Sequence, residues 1–143
     1  MSVKTRVDIK PIARDFFEAC EAGKGWDVCK QWCQTRASFS AQADALAGID
    51  TLEAYTEWMK SMLVAMPDGH YELLSFAVDD QTQTVTAAGV FHATHTVAAG
   101  DIPPTGKSLA ADYAYVMEFD GDKIRHMTKI WNDVLSLKQL GWA

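Results

Sequence analysis

Residues 108–133 constrain the fold more than any other part of the chain, because they predict two long strands joined by a tight turn. Large apolar residues occupy every second position from Tyr113 to Phe119, which is the period-two pattern of a strand with two distinct faces. Asp120-Gly121-Asp122 forms the turn, where glycine tolerates the positive φ that tight hairpins need. A second alternating run follows, so these residues predict a long β-hairpin.

The elements before this hairpin predict an α+β fold with helices first and strands afterwards. Asp50 and Glu53 have the spacing of a capping box, and they predict the start of a long helix that ends before Pro67. The remaining predicted elements are a helix from Pro11 to about Gly23, a short helix over residues 26–33, a polar strand or loop over 36–42, strands over 70–78 and 82–97, and a closing helical turn over 134–142.

Composition limits the number of domains and the classes of partner. The 143 residues are 48% hydrophobic and carry a formal net charge of −6, which is typical of one globular domain over residues 1–143. No basic run is present to bind phosphates, so we expect no nucleic acid partner. No apolar stretch approaches the roughly 20 residues that span a bilayer, and residues 1–17 lack the apolar core of a signal peptide. We therefore expect a cytoplasmic protein with no membrane association.

Three segments carry a resemblance to a known family, namely FHATHT at residues 91–96, PTGK at 104–107 and FDGDKI at 119–124. They resemble the SnoaL-like proteins, polyketide cyclase relatives within the nuclear transport factor 2-like superfamily. The resemblance spans nearly the whole chain. It implies a curved antiparallel sheet wrapped around the N-terminal helices (a cystatin-like architecture), forming a cone with an internal pocket.

The same resemblance implies a function, with departures from the patterns of known enzymes. Ketosteroid isomerases share the fold, but the positions of their catalytic groups hold residues such as Phe16 and Tyr115 here, which disfavours that activity. Polyketide cyclases of the SnoaL type use an Asp as acid/base with a nearby His. His95 matches that His and Asp112 is the nearest candidate for the Asp, whereas Ala93 stands where those cyclases tend to carry Gln.

His95 and Asp112 are therefore the predicted catalytic residues. If Ala98 stands opposite Lys107 across the connection between their strands, the two side chains share a face as diagonal neighbours. A register slip of one residue instead places Asp112 with His92, and His95 with the tyrosines. A further alternative is that Asp112 lies on a solvated face, since burying an unpaired carboxylate is costly.

We expect neither a metal nor another cofactor. His92 and His95 are three residues apart on a strand, so their side chains point to opposite faces and do not share an ion. Cys29 and Cys33 lack a second pair of ligands, and small buried apolar residues are the simpler interpretation.

Two functions remain open. The first is a cofactor-independent polyketide cyclase or related acid/base enzyme acting on a small, apolar, cyclic substrate. The second is a non-catalytic domain that binds a small ligand or forms dimers. In either case we expect a homodimer through the open face of the sheet. The predicted pocket lining consists of Gln42, Trp58, Met62, Phe91, Tyr113, Tyr115 and Trp131.

Overall fold

A computed structural model describes residues 7–143 as a layer of helices packed on one face of a five-stranded sheet. In chain order the elements are α1 (Ile9–Glu21), α2 (Trp26–Cys29), β1 (Cys33–Ala41), α3 (Leu52–Ala65), β2 (His70–Asp79), β3 (Thr84–Thr94), β4 (Ser108–Asp120), β5 (Lys123–Trp131) and α4 (Asp133–Leu140), with short 3-10 helices at Lys30–Trp32 and Asp44–Leu46. The predicted α+β class is confirmed. The prediction about a signal peptide rests in part on residues 1–6, which lie outside the described residues.

Side-chain caps fix where the two long helices begin. The Asp8 carboxylate accepts a hydrogen bond from the Lys10 N–H at 3.2 Å, which starts α1 with Pro11 in its first turn. The Thr51 hydroxyl accepts from the Ala54 N–H at 3.1 Å and caps α3. The sequence placed this cap at Asp50, one residue too early.

The order of strands in the sheet is β1-β5-β4-β3-β2. Neighbours along β2, β3, β4 and β5 are antiparallel, as the hairpin pattern predicts. β1 instead runs parallel to β5, so the expectation of a wholly antiparallel sheet is wrong for this one pair. The chain leaves β1 through α3 and reaches β5 only after three further strands. No hairpin therefore forces an antiparallel arrangement on the β1–β5 pair.

The predicted register between β3 and β4 is also wrong. His92, and not His95, stands opposite Ala110, which is a shift of three residues, and Asp112 stands opposite Val90. An odd shift exchanges the two faces of a strand. The loop over residues 95–107 is tied at its ends by His95 N–H to Lys107 O at 3.0 Å and by Gly106 N–H to His95 O at 2.9 Å.

The two faces of the sheet have different environments. The core contains Tyr113, Tyr115 and Met117 from the inner face of the sheet. It also contains Phe16 and Phe17 of α1. The outer face of the sheet leaves apolar side chains such as Leu74 and Ile130 exposed. α4 packs across β4. Within residues 7–143, every helix is too short or too polar to cross a membrane.

Candidate active site

A cavity of about 200 Å³ lies between α3, α4 and the inner face of strands β3 to β5. Most of its wall is apolar, with methionines of α3 on one side and leucines of α4 on the other. Among the described residues that line it, those with charged or hydroxyl groups are Glu21, Tyr113, Lys129 and Ser136. Enclosed apolar pockets with a few convergent polar groups are typical ligand sites.

Lys129 is the least expected member of this wall. It occupies an inward position of β5, in the same alternation as Met127 and Trp131, and only 7% of it is exposed. Its Nζ donates a hydrogen bond to Tyr55 Oη at 3.0 Å. The same Nζ lies 4.3 Å from the ring centre of Trp131 and 5.1 Å from that of Trp58. The amine therefore sits in an aromatic enclosure at the cavity wall.

Glu21 ends α1 and faces the same group of side chains. It is 2% exposed, and its two carboxylate oxygens accept hydrogen bonds from Tyr113 at 2.8 Å and Tyr115 at 2.5 Å. A buried carboxylate needs such partners, because removing its charge from water is costly. Glu21 lies four residues after Phe17, on the face of α1 that packs against the sheet.

A continuous chain of hydrogen bonds joins the amine to the carboxylate. Lys129 Nζ donates to Tyr55 Oη, the hydroxyls of Tyr55 and Tyr115 share a very short hydrogen bond, and Tyr115 Oη donates to Glu21 Oε1. If Tyr55 donates to Tyr115, every donor along the chain points from the lysine toward the carboxylate. We call these four residues the proton relay, because shifting each proton one step moves a proton from Lys129 to Glu21.

Burial brings the proton affinities of the two ends of the relay closer together. Loss of hydration lowers the pKa of Lys129 to about 8, an effect that the nearby Glu21 charge partly opposes. Burial raises the pKa of Glu21, although the tyrosine hydrogen bonds and the Lys129 charge act against that rise. Burial is the main cause that raises the pKa of Tyr55 and Tyr115, and the negative charge of Glu21 is the second. The tyrosines therefore stay protonated and pass protons without holding a charge.

The family model for SnoaL-like polyketide cyclases matches residues 12–140. The chain belongs to this family. A search of curated proteins found no significant match.

Solved structures share the whole fold at low sequence identity. A protein from Acidithiobacillus ferrooxidans assigned as a polyketide cyclase is 21% identical, with a TM-score of 0.74 over 100% of this chain and 99% of that one. IdmH from Streptomyces antibioticus, also assigned as a polyketide cyclase, is 15% identical, with a TM-score of 0.75 over 94% and 99%. The BvnE pinacolase of Penicillium brevicompactum is 12% identical, with a TM-score of 0.69 over 91% and 89%. At such identities the likeness concerns the fold alone.

The structure places the predicted pocket residues of this SnoaL-like chain unevenly. Trp58, Met62, Phe91, Tyr113 and Trp131 line the cavity, and their contact with a ligand stays a prediction. Tyr115 is fully buried and lies behind the wall, as part of the relay. Gln42 is exposed and is not among the described residues that line the cavity.

The structure does not bring His95 and Asp112 together. His95 is fully buried at the start of the 95–107 loop, where its Nδ1 accepts hydrogen bonds from the Thr105 N–H at 3.2 Å and from Trp142 Nε1 at 3.1 Å. Asp112 is exposed on the outer face, at a shallow groove that it shares with Leu74. The register shift separates the two side chains, since it turns them to opposite faces of the sheet.

Sequence reasoning missed Glu21, Tyr55 and Lys129. Each occupies a position whose neighbours in the periodic pattern are apolar, so periodicity alone assigns each position to the core. The available signal was a charged residue at an inward position: Lys129 two residues from Met127 and from Trp131, and Glu21 one helical turn after Phe17.

Proposed function

We propose that this SnoaL-like protein is a cofactor-independent acid/base enzyme that moves protons on a small, apolar, cyclic carbonyl compound. The observation that carries the proposal is the proton relay, which connects an amine and a carboxylate that both line one apolar cavity. Polyketide cyclisation belongs to this kind of chemistry, because it begins with removal of a proton next to a carbonyl group.

In the proposed reaction, the neutral amine of Lys129 removes a proton from the carbon next to the carbonyl. The ammonium so formed stabilises the negative charge of the enolate in a cavity with little water to screen it. Its extra proton can pass through Tyr55 and Tyr115 to Glu21, which restores the base. A positioned acid/base group of this kind contributes about 10²- to 10⁴-fold to a rate.

The size of the cavity favours a compact substrate. An apolar cavity of about 150 Å³ holds benzene. The cavity of about 200 Å³ found here therefore suits one ring with substituents or two fused rings. The polar groups at Glu21, Tyr113 and Lys129 give such a ligand one polar end to orient it, and the methionine and leucine walls take its apolar part.

The test uses proton exchange, which needs no knowledge of the natural substrate. Cyclohexanone and 2-tetralone, a one-ring and a two-ring ketone, are incubated with the protein in D2O, and loss of the α-proton signals is followed by NMR. We expect saturable exchange that Lys129→Met lowers by on the order of a hundredfold. Lys138→Met is the matched control, because this exposed lysine of α4 lies outside the cavity wall.

Ligand binding measured in the same samples separates the two functions. Ketones that bind at the cavity residues, as shown by chemical shift changes of the Trp58 and Trp131 side chains, and yet exchange no faster than in buffer, would refute the enzyme proposal. That result would favour the non-catalytic ligand-binding domain.

A further inference from the structure

Lys129 has the surroundings of a nucleophilic amine as well as those of a base. An ammonium group has three N–H donors. Among residues 7–143, Tyr55 Oη is the sole hydrogen-bond acceptor for Nζ, at 3.0 Å. Apart from this contact, Nζ lies over the rings of Trp58, Trp131 and Tyr113, and the side chain lines an apolar cavity. The charged form therefore lacks two of the hydrogen bonds it would have in water.

We propose that Lys129 forms a Schiff base with a small aromatic or cyclic aldehyde or ketone bound in the cavity. This inference rests on the proposed function in one respect, since both assign a carbonyl ligand to the same cavity. It adds a covalent step, in which the protein holds its ligand through a carbon–nitrogen double bond.

The step balances without a further reactant. The Nζ lone pair attacks the carbonyl carbon, a C–N bond forms, and the carbonyl π electrons move to oxygen, which takes a proton. The resulting carbinolamine loses this hydroxyl as water after a second protonation, while nitrogen gives up its remaining protons to leave the neutral imine. Aldehyde and amine thus become imine and water, with no change of oxidation state.

The site contains a donor and an acceptor for these protons. Glu21 borders the cavity, and once the relay has delivered a proton to it, it is the acid that dehydration of the carbinolamine requires. Tyr113 Oη, 2.8 Å from Glu21 Oε2, borders the same space and can carry a proton from that oxygen to the ligand. Protons released by nitrogen return to Glu21 through Tyr55 and Tyr115.

Two effects on the amine oppose each other. Desolvated lysines next to apolar surfaces are effective nucleophiles, because the neutral amine becomes accessible near neutral pH. Ring faces favour the ammonium instead, because the negative face of an aromatic ring attracts a cation. With a pKa of about 8, on the order of one amine in ten is neutral at pH 7. The neutral form is thus available from neutral pH upward.

The experiment traps the imine by reduction. The full-length protein is treated with benzaldehyde and sodium cyanoborohydride, and the adduct is located by peptide mass spectrometry. Reduction of the imine adds the mass of benzaldehyde less one oxygen atom. Benzaldehyde has no α-proton, so enolisation does not compete. Benzyl alcohol, which has the same ring but no carbonyl, serves as a competitor for the cavity.

We expect saturable labelling of Lys129 that benzyl alcohol suppresses, against slow, unsaturable labelling of surface lysines such as Lys138. Lys129→Arg keeps a cation in the aromatic enclosure and forms no imine, so it should abolish the cavity adduct. Glu21→Gln should slow adduct formation by on the order of a hundredfold, because it removes the acid.

The trapping experiment separates the two proposals, because benzaldehyde has no α-proton and its labelling does not require removal of a proton from carbon. Labelling of Lys129 no faster than that of surface lysines, in a protein that still exchanges cyclohexanone, overturns the Schiff base and leaves the proposed function intact. Labelling of Lys129 without ketone exchange supports the Schiff base and refutes the proton-transfer function. Labelling that benzyl alcohol does not suppress also overturns the inference, because the adduct would then form outside the cavity.

Discussion

The burial of Lys129 has a measurable thermodynamic consequence in the dependence of stability on pH. Its ordinary pKa of 10.5 falls to about 8 in the folded protein because of desolvation. Between these values the unfolded chain binds a proton at Lys129 that the folded protein does not. Stability rises with pH wherever the unfolded state binds more protons. Lys129 therefore destabilises the fold fully below about pH 8, and this penalty disappears as pH rises to 10.5.

The size of the effect follows from the shift. One pKa unit corresponds to 1.36 kcal/mol, so an interval of about 2.5 units between 10.5 and 8 amounts to about 3 kcal/mol. The pH dependence of the wild-type unfolding free energy does not by itself isolate the contribution of Lys129. A hydrogen bond with Cys29, and then burial, raise the pKa of Cys20, and burial raises the pKa of Tyr115. Both residues therefore make the fold less stable as pH rises at the alkaline end. The informative quantity is the difference in unfolding free energy between the wild type and Lys129→Met.

Urea denaturation followed by tryptophan fluorescence gives this difference at each pH from 7 to 10. We expect the wild type to gain about 2–3 kcal/mol over Lys129→Met across that range. The same substitution removes the Lys129 charge, which lowers the pKa of Glu21. The pKa of Glu21 is therefore higher in the variant than in the wild type. That change lowers the stability of the variant as pH rises and acts in the same direction. Lys138→Met is the control and should show no such trend. A flat difference for Lys129→Met would refute the assignment of Lys129 as a desolvated amine.

Four other predictions concern the relay, the two faces of the sheet and the core. Tyr115→Phe interrupts the relay while keeping the ring, so it should lower cyclohexanone exchange by about tenfold or more with the fold retained in circular dichroism. Asp112→Asn distinguishes catalysis by the relay from catalysis by the His95–Asp112 pair predicted from the sequence, because only that pair needs this carboxylate to titrate. We expect cyclohexanone exchange to be retained, and a hundredfold loss of exchange would favour the pair. On the outer face of the sheet, Leu74 is 65% exposed and Ile130 is 61% exposed, and we expect this face to form a homodimer interface. Light scattering should then give twice the 15.8 kDa chain mass, and Ile130→Lys should shift the measured mass toward that of the monomer. Phe16→Ala should cost about 3–5 kcal/mol in urea denaturation, because the ring is fully buried between α1 and the sheet; a cost below about 1 kcal/mol would contradict the packing.

The sequence by itself determined the elements and their order, because these depend on local periodicity. Alternation along residues 108–133 predicted the hairpin that became β4 and β5, with Tyr113 and Tyr115 on one face. Helical spacing between Leu52 and Ala65 predicted α3. The cap of α3 was predicted to within one residue, since a side chain that accepts from the backbone three residues later is itself a local feature.

Only the tertiary structure decided the strand register and the site. The free energy of closing a loop changes slowly with its length, so the 95–107 connection left several registers of similar cost. Packing of the inner face selected the one that buries His95 and exposes Asp112. The relay joins residues that are far apart in sequence, with Lys129 and Tyr55 separated by 74 positions and Tyr115 and Glu21 by 94. No local pattern records such contacts, because they form only when α1, α3 and the sheet pack around the same space.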